Sequence, residues 1–312
     1  MEMSEYNYSI EAKNLNKIYN KNKHLQIEAL NNFNIKIPKG SIYGLLGPNG
    51  AGKSTFINIL GSLVKKDSGT VNICGIDIDE DPKKSRKQIG IVPQELNIDP
   101  FFTPLELLEL QAGLYGVPKK NRKSEEILDK LELLDQRNAY ARNLSGGMRR
   151  RLLVAKALVH NPRIIILDEP TAGVDVELRK NLWKYIKELN DLGTTICLTT
   201  HYLEEAENLC DYITIIDKGK ILKSDTKNNM LNLIGKKKVS FILEKKINIP
   251  SDLAKFNPEI IDNKLLINYD KKNTKLKEII EILNKNKISF SEINTYESDL
   301  EDVFMNLINK PN

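Results

Sequence analysis

Eight residues at positions 47–54 constrain the fold of this chain more than any others. They read Gly-Pro-Asn-Gly-Ala-Gly-Lys-Ser and match the pattern G-x-x-x-x-G-K-[S/T] in full. A compact apolar run at 41–46 precedes them, and a helical pattern at 53–63 follows. In this strand, turn and helix order, glycines without Cβ atoms let backbone N–H groups and the helix N-terminus converge on one anion. The segment therefore predicts a loop that holds phosphate groups.

The end of this loop extends the prediction to a nucleotide and a metal ion. The Lys53 ammonium is expected to contact the β- and γ-phosphates, and the Ser54 hydroxyl is expected to bind Mg²⁺. The loop residues that we expect to contact the nucleotide are Gly47, Pro48, Asn49, Gly50, Ala51, Gly52, Lys53, Ser54 and Thr55. At this point the sequence predicts a P-loop nucleotide hydrolase without indicating which kind.

A second apolar run carries two adjacent carboxylates at its end. Residues 164–169 read Ile-Ile-Ile-Leu-Asp-Glu, and Pro170 then stops the strand. Ligands of open α/β sheets bind at the carboxyl ends of the strands, where these side chains are expected to lie. We expect Asp168 to hold Mg²⁺ through water, and Glu169 to act as the general base on the attacking water or at least to orient it. Alone, such a pair is usually a solvated strand end, but beside a phosphate loop it becomes a candidate catalytic pair.

Strand and helix patterns alternate up to about residue 227, which predicts a parallel sheet with crossover helices. Leucines at helical spacing predict a helical insertion at about 96–159. The other predicted elements are short strands within 10–37 and at 71–78, 89–92, 164–167 and 196–200, a helix at 176–192 and a hairpin at 213–222.

The composition changes near residue 228, where arginine disappears and Asn and Lys become frequent. We therefore predict two domains, 1–227 and 228–312, the second a small α+β appendage. Its predicted elements are strands at 239–243 and 265–269 and helices at 276–283 and 300–308.

Bulk properties narrow the class of protein. Apolar residues make up 40% of the chain and charged residues 29%, as in ordinary globular proteins. The net charge of +5 is mild and its lysines are scattered, so a nucleic-acid partner is not expected. The apolar runs are far shorter than the ~20 residues that span a bilayer. Cys74 and Cys197 lie in apolar strand patterns and are expected to be buried free thiols, which fits a reducing cytosol.

A second glycine-containing motif decides among nucleotide hydrolases. Residues 144–148 read Leu-Ser-Gly-Gly-Met and precede a basic helical pattern at 149–158. This resembles the signature sequence of ABC ATPases. The resemblance implies a P-loop NTPase fold with a RecA-like parallel core, an antiparallel β subdomain and the helical insertion. It also implies that Ser145, Gly146 and Gly147 contact the ATP of the opposite subunit in a head-to-tail homodimer.

Further family elements fall in order along the chain. Gln94 matches the Q-loop, which contacts the γ-phosphate and Mg²⁺, and Asp175 matches the D-loop, which bridges the dimer. His201 matches the switch histidine that contacts the γ-phosphate; a histidine after a strand could otherwise be structural. Tyr19 matches the aromatic that stacks on adenine, although it could be an ordinary surface aromatic. The implied cofactors are ATP and Mg²⁺. The implied catalytic residues are Lys53, Gln94, Glu169 and His201.

Variations in these motifs indicate a branch of the family. Met148 stands where Gln is common, and Ala172 and Gly173 begin the D-loop where Ser-Ala is common. With the stretch that reads Thr-Thr-His-Tyr-Leu-Glu-Glu-Ala-Glu, these variants look like ATPase subunits of ABC-2 type exporters, which include drug-resistance pumps. The resemblance implies a separate ABC-2 type permease, docked near residues 105–115. The chain would then lie peripherally on the cytoplasmic side of the inner membrane, in contact with the membrane only through that permease.

Other functions of ABC-type ATPases remain as alternatives. A soluble ATPase acting in translation or assembly is one, although translation-type members usually carry two ATPase halves in one chain. A chromosome-maintenance ATPase would need a long coiled-coil insertion, which the sequence lacks. A regulator without catalysis is disfavoured by intact Lys53, Asp168, Glu169 and His201. The transported substrate is open at this level.

Overall fold

The computed structural model describes residues 6–20, 26–171, 176–233, 236–245, 247–270, 274–296 and 300–308. The chain divides into two compact units, Met1–Thr226 and Lys227–Asn312, which are described separately. The strands are β1 Tyr8–Tyr19, β2 Ile27–Pro38, β3 Ile42–Leu46, β4 Ser68–Ile73, β5 Ile76–Asp77, β6 Ile89–Val92, β7 Ile164–Asp168, β8 Thr195–Thr200, β9 Tyr212–Asp217, β10 Lys220–Thr226, β11 Lys236–Leu243, β12 Glu259–Ile261, β13 Lys264–Asp270 and β14 Phe290–Tyr296. The helices are α1 Lys53–Leu60, α2 Pro82–Arg86, α3 Pro104–Leu114, α4 Ser124–Lys130, α5 Gly146–Leu158, α6 Val176–Asp191, α7 Leu203–Leu209, α8 Lys227–Leu231, α9 Leu276–Lys285 and α10 Leu300–Ile308.

A six-stranded sheet forms the centre of the first unit, in the order β10-β9-β3-β8-β7-β6. Strands β9, β3, β8, β7 and β6 pair in parallel, and β10 runs antiparallel to β9. Every residue of β3 and β8 is buried. This agrees with their continuous apolar or β-branched sequences, which are typical of central parallel strands. The carboxyl ends of the parallel strands therefore meet at one edge. The predicted parallel α/β core is confirmed.

A separate antiparallel sheet, in the order β2-β1-β4-β5, supplies the other layer of this unit. Its first two strands are twelve residues each, longer than the short strands predicted for 10–37. The single strand predicted at 71–78 is wrong. The chain turns at Cys74 and Gly75, both with positive φ, so β4 ends at Ile73 and β5 pairs back onto it. Apolar side chains from this sheet, β3 and α1 form one core.

The predicted helical insertion is present but interrupted. The capping box of α3 joins Thr103 and Glu106 reciprocally, and Pro104 occupies its first turn, so the sequence fixes this start strongly. Helix α4 is shorter than the leucine spacing predicted, since Leu131 and Leu134 lie beyond its end. Glu132 follows the end of α4 and has a positive φ of 54°, which ends the helical conformation there. Helix α1 likewise ends at Leu60 rather than residue 63, because Gly61 and Ser62 leave the helix.

The second unit is an antiparallel sheet, in the order β12-β13-β11-β14, with α9 packed on one face. Val239, Phe241, Leu265 and Ile267 point to that face, and Ile279 of α9 packs against them. This agrees with the α+β character predicted from the sequence. Strands β12 and β14 were not predicted, because their apolar residues do not alternate clearly.

Two further properties bear on the class of protein. Cys74, Cys197 and Cys210 are all buried and none is in a disulfide, and burial raises the pKa of Cys197 to about 12. Within the ranges that the structure describes, no helix has the length and apolar character needed to cross a bilayer.

Candidate functional site

The glycine-rich loop connects the end of β3 to the start of α1. A Cβ at Gly47 would meet the carbonyl oxygen of Ile216, and one at Gly52 would lie 2.5 Å from the carbonyl oxygen of Ala29. Gly50 and Gly52 have φ of 80° and 110°, which L side chains rarely adopt. Glycine is therefore required at these three positions, and the loop leads directly into the N-terminus of α1, as a phosphate cradle requires.

The Lys53 side chain folds back along this loop. Its Nζ donates to the carbonyl oxygens of Gly47 at 2.6 Å and Pro48 at 3.1 Å. Burial lowers the pKa of this ammonium, and the nearby carboxylates of Glu169 and Asp168 oppose that shift. An ammonium has three N–H donors, so one remains for an anion after these two bonds.

The predicted carboxylate pair lies at the carboxyl end of β7, beside the end of β8. The Thr199 hydroxyl donates to Oδ1 of Asp168 at 2.6 Å. The backbone N–H of Glu169 donates to the carbonyl oxygen and to the hydroxyl oxygen of Thr199, both at 3.1 Å. Thr199 therefore fixes both acidic residues, and it was not singled out from the sequence because it stands within an ordinary β-branched run.

The Glu169 carboxylate is the centre of the site. Gln94 Nε2 donates to its Oε2 at 3.0 Å, and His201 Nδ1 lies 3.3 Å from the same oxygen. Glu169 itself is buried, whereas His201 is largely exposed. The backbone of Glu169 has a φ of 47°, which is uncommon for a residue other than glycine and costs about 1–3 kcal/mol. Strain of this kind is concentrated at functional sites. Three segments that are distant in sequence thus converge on one carboxylate.

A buried arginine holds the Gln94 segment. Arg150 of α5 donates from its two terminal nitrogens to the carbonyl oxygens of Pro93 and Gln94, each at 2.9 Å. Burial lowers the pKa of this guanidinium, and Asp168 opposes that shift. The sequence shows three consecutive arginines at 149–151 and did not indicate which one faces the site.

Comparison with known proteins identifies the family that carries this site. Residues 30–172 match the profile of the ABC transporter family. Daunorubicin resistance ATP-binding protein DrrA2 of Streptomyces coeruleorubidus is 32% identical over 310 residues, which cover 96% of this chain and 95% of that protein. The chain belongs to the ABC transporter family. Linearmycin resistance ATP-binding protein LnrL of Bacillus subtilis is 37% identical over 228 residues, which cover 72% of each chain.

Solved ABC cassettes share the fold. The dimeric post-hydrolysis state of the cassette MJ0796, bound to ADP and Pi, matches with a TM-score of 0.62 and 32% identity over 70% of this chain and 98% of that one. A nucleotide-free cassette from an ABC transporter matches with a TM-score of 0.63 and 26% identity over 73% and 95%. The predicted P-loop NTPase fold and the predicted ATPase activity are confirmed.

Other residues matched to ABC motifs lie in several places. Ser145 caps α5, with its Oγ accepting the backbone N–H of Met148 at 3.2 Å, and Gly146 is exposed beside it. Tyr19 is partly exposed at the end of β1, with Lys17 Nζ 5.2 Å from its ring centroid. Asp175 lies outside the described residues. The nucleotide contacts of all these residues stay predictions.

The side chains of Asp168, Ser54 and Gln94 together offer oxygen ligands that suit a hard cation only partly held by protein. Ser54 presents an exposed hydroxyl on the first turn of α1, and the amide of Gln94 keeps an oxygen after its nitrogen donates to Glu169. These are oxygen ligands, which Mg²⁺ prefers, and it commonly takes one or two carboxylates with substrate phosphates. Within the described ranges no three His, Cys, Asp or Glu side chains cluster as a metal site. The set fits Mg²⁺ bound together with a nucleotide.

Proposed function

We propose that this chain is the ATP-hydrolysing subunit of an ABC-2 type exporter, with Glu169 as the general base. The observation that carries the proposal is the convergence of Gln94 and His201 on one oxygen of Glu169, beside a phosphate cradle. A carboxylate that accepts a hydrogen bond from Gln94 and lies against the His201 ring keeps a fixed direction, which suits the removal of a proton from an attacking water. Glu169 and Asp168 lie close enough to the Lys53 ammonium to oppose the lowering of its pKa by burial, so the same carboxylates lie near the cradle.

Each residue then has a distinct task in hydrolysis. The loop N–H groups and Lys53 bind the phosphates, Glu169 accepts the proton of the water, and His201 and Gln94 hold its carboxylate. Asp168, Ser54 and Gln94 would hold Mg²⁺, which when bound offsets negative charge on the phosphates. Tyr19 would stack on the adenine ring.

The signature segment supports a head-to-tail homodimer. Ser145, Gly146 and Gly147 form the N-terminal end of α5, which suits a phosphate but belongs to a segment distinct from the Gly47 loop. A similar ABC cassette was solved as a dimer. Each ATP would then lie between the loop of one subunit and the signature of its partner, with Asp175 bridging the two. ATP would thereby favour the closed dimer, and hydrolysis would release it.

Export rests on the relatives. DrrA2 and LnrL are named for drug resistance, and a Nod factor export ATP-binding protein of Cupriavidus pinatubonensis is 39% identical over 205 residues, which cover 65% of this chain and 63% of that protein. Helix α3 carries exposed apolar side chains, Leu110 at 49% and Leu114 at 74%, on a surface that a permease helix could cover. The chain would act on the cytoplasmic side of the membrane, held there by this permease.

Purification of the tagged chain from its own cells in mild detergent tests the transport role. We expect a multi-span membrane protein to co-purify, and Leu114→Glu to reduce its recovery because a charge would enter an apolar contact. Leu192→Glu, at another exposed leucine outside α3, is the matched control. Recovery of the chain alone or with ribosomes would favour the soluble ATPase alternative and contradict the exporter role.

A further inference from the structure

A second buried carboxyl group lies behind the site and takes no part in the proposed chemistry. Helix α7 begins two residues after His201, and its first turn carries two adjacent glutamates. Glu204 is exposed, whereas Glu205 is fully buried. Trp183 of α6 donates from its indole Nε1 to Glu205 Oε1 at 3.1 Å. Burial raises the pKa of Glu205, and hydrogen bonding from Thr200, Trp183 and Thr171 opposes the shift.

The other oxygen of this carboxyl, Oε2, is buried without a well-formed hydrogen bond to any described residue. Among the described residues, Glu205 Oε2 and Thr171 Oγ1 are both buried without a hydrogen-bond partner of good geometry. Leaving a buried polar atom unpaired costs about 1–3 kcal/mol, so two such atoms in one place favour a common bond. One proton, carried on Oε2 or on the threonine hydroxyl, would satisfy both groups at once.

The two threonines that interact with Glu205, Thr171 and Thr200, lie next to the catalytic segments. The pairing of β7 with β8 ends where Asp168 meets Thr199. Thr171 follows Glu169 by two residues, and Thr200 directly precedes His201. Past the backbone hydrogen bond from Glu169 to Thr199, side chains rather than strand hydrogen bonds set the separation of these two segments. Glu205 interacts with both of them, through the hydroxyls of Thr171 and Thr200.

Helix α6 reaches the same region through a second contact. Arg179 lies one helical turn before Trp183, and its guanidinium carbon is 5.1 Å from the ring centroid of Tyr202. The Tyr202 ring is in turn 4.1 Å from the ring of His201. Cation–π and ring contacts of this kind contribute about 0.5–1.5 kcal/mol each, enough to bias a side-chain position. Helix α6 thus touches both Glu205 and the neighbour of His201.

We propose that Glu205 is a positioning residue that fixes Glu169 against His201 by joining the ends of β7 and β8 to helix α6. It does not touch the nucleotide, so its loss lowers the rate of the chemical step and leaves ATP binding in place. The inference rests on the proposed roles of Glu169 and His201. Glutamine can replace it, because an amide accepts the Trp183 N–H and donates to Thr171.

Steady-state ATP turnover and thermal unfolding of four full-length variants test this inference. Glu205→Met fills the volume without hydrogen bonds, and thermal unfolding measures the stability lost by leaving the Trp183 N–H unpaired, about 1–3 kcal/mol. We expect its kcat to fall by at least about tenfold with KM for ATP within about twofold, because small misplacements of catalytic groups cost about this much or more. Glu205→Gln is expected to retain most of the wild-type kcat. The exposed neighbour Glu204→Gln is the matched control and is expected to be unchanged.

The outcomes separate this inference from the proposed function. A wild-type chain without ATP turnover would contradict the proposed function itself. With an active wild type, full kcat in Glu205→Met would overturn the positioning role, and so would equal loss in the Gln and Met variants, since that would mean the carboxylate charge is what matters. If Glu205→Met does not fold, Trp183→Phe removes one partner with little change in volume. Unchanged kcat in that fourth variant would then overturn the inference.

Discussion

His201 Nδ1 lies 3.3 Å from Glu169 Oε2, and Gln94 donates to that same oxygen at 3.0 Å. These residues follow β8, β7 and β6, three neighbouring parallel strands, by at most two positions. Their meeting is a consequence of topology, because carboxyl ends of parallel strands share one edge of the sheet. The precision of the contact depends on residues around it, and those residues can be tested.

Thr199→Val removes the hydroxyl that bonds Asp168 and Glu169 without changing side-chain shape. Asp168 then loses its 2.6 Å hydrogen bond, and its carboxylate is free to rotate. We expect kcat to fall by about tenfold or more and the Mg²⁺ concentration for half-maximal activity to rise, because orienting partners of metal ligands typically contribute 10–100-fold. ATP turnover measured against Mg²⁺ concentration checks both effects.

Thr195→Val is the matched control, because Thr195 lies on the same strand at the opposite edge of the sheet. Its hydroxyl accepts the Gly40 N–H and pairs with Ser9, so its loss destabilises the fold by about 1–3 kcal/mol. We expect the Mg²⁺ dependence to stay at the wild-type value. The same Mg²⁺ response in both variants would contradict the role given to Thr199.

Arg150→Lys tests the anchoring of the Gln94 segment. A lysine cannot donate in a fork to the carbonyls of Pro93 and Gln94, so the segment loses one of two fixed bonds. We expect a several-fold lower kcat, on the order of the 1–2 kcal/mol that such a bond contributes. Arg151→Lys is the control, because Arg151 bonds Leu131 and Glu132 instead. Equal effects of the two substitutions on turnover would refute this account.

His160 makes folding stability sensitive to acid. Its Nε2 donates to the Ile89 carbonyl at 3.0 Å, its ring stacks on Tyr115 with centroids 3.7 Å apart, and Nδ1 is buried without a partner among the described residues. Burial lowers its pKa, so the unfolded chain takes up the proton first as the pH falls. Its contribution is therefore present above about pH 6.5, the unfolded value, and is lost below it.

Urea unfolding of wild type and His160→Gln at about pH 5.5 and about pH 7.5 checks this expectation. Glutamine keeps a donor for Ile89 and does not titrate, so the loss of stability between the two pH values should be smaller in the variant. A loss of equal size in both proteins would show that other groups cause the acid sensitivity.

Sequence patterns were sufficient where a motif fixes both the residue and its backbone. The phosphate loop, the Asp168 and Glu169 pair, and the strands around them follow from local patterns, and so does the parallel orientation of the core strands. The turn at Cys74 and Gly75 was missed because β-branched and polar residues alternate on each side of it, so that 71–78 reads as one strand. Residues 172–175, which include Asp175, lie outside the described structure, and their role stays a prediction.

Long-range contacts were the part that the sequence could not supply. Three residues matter because of hydrogen bonds to distant parts of the chain. Thr199 bonds Asp168 across 31 residues, Arg150 bonds Gln94 across 56, and Glu205 bonds Trp183 across 22. Nothing in a run of β-branched residues, three arginines or two glutamates indicates which member faces inward. Only the packing of α5, α6 and α7 against the sheet makes that choice.

The central claim is that Glu169 removes the proton from the attacking water in an ATP-driven switch. It is tested most directly by phosphate release and nucleotide retention in wild type and Glu169→Gln, the variant that keeps a side chain of the same size without a base. The account predicts that the variant binds ATP, forms the dimer and stalls, with turnover lower by at least about 10²-fold, the lower end of what general-base catalysis contributes. Rapid turnover by Glu169→Gln, with phosphate release near the wild-type rate, would contradict it.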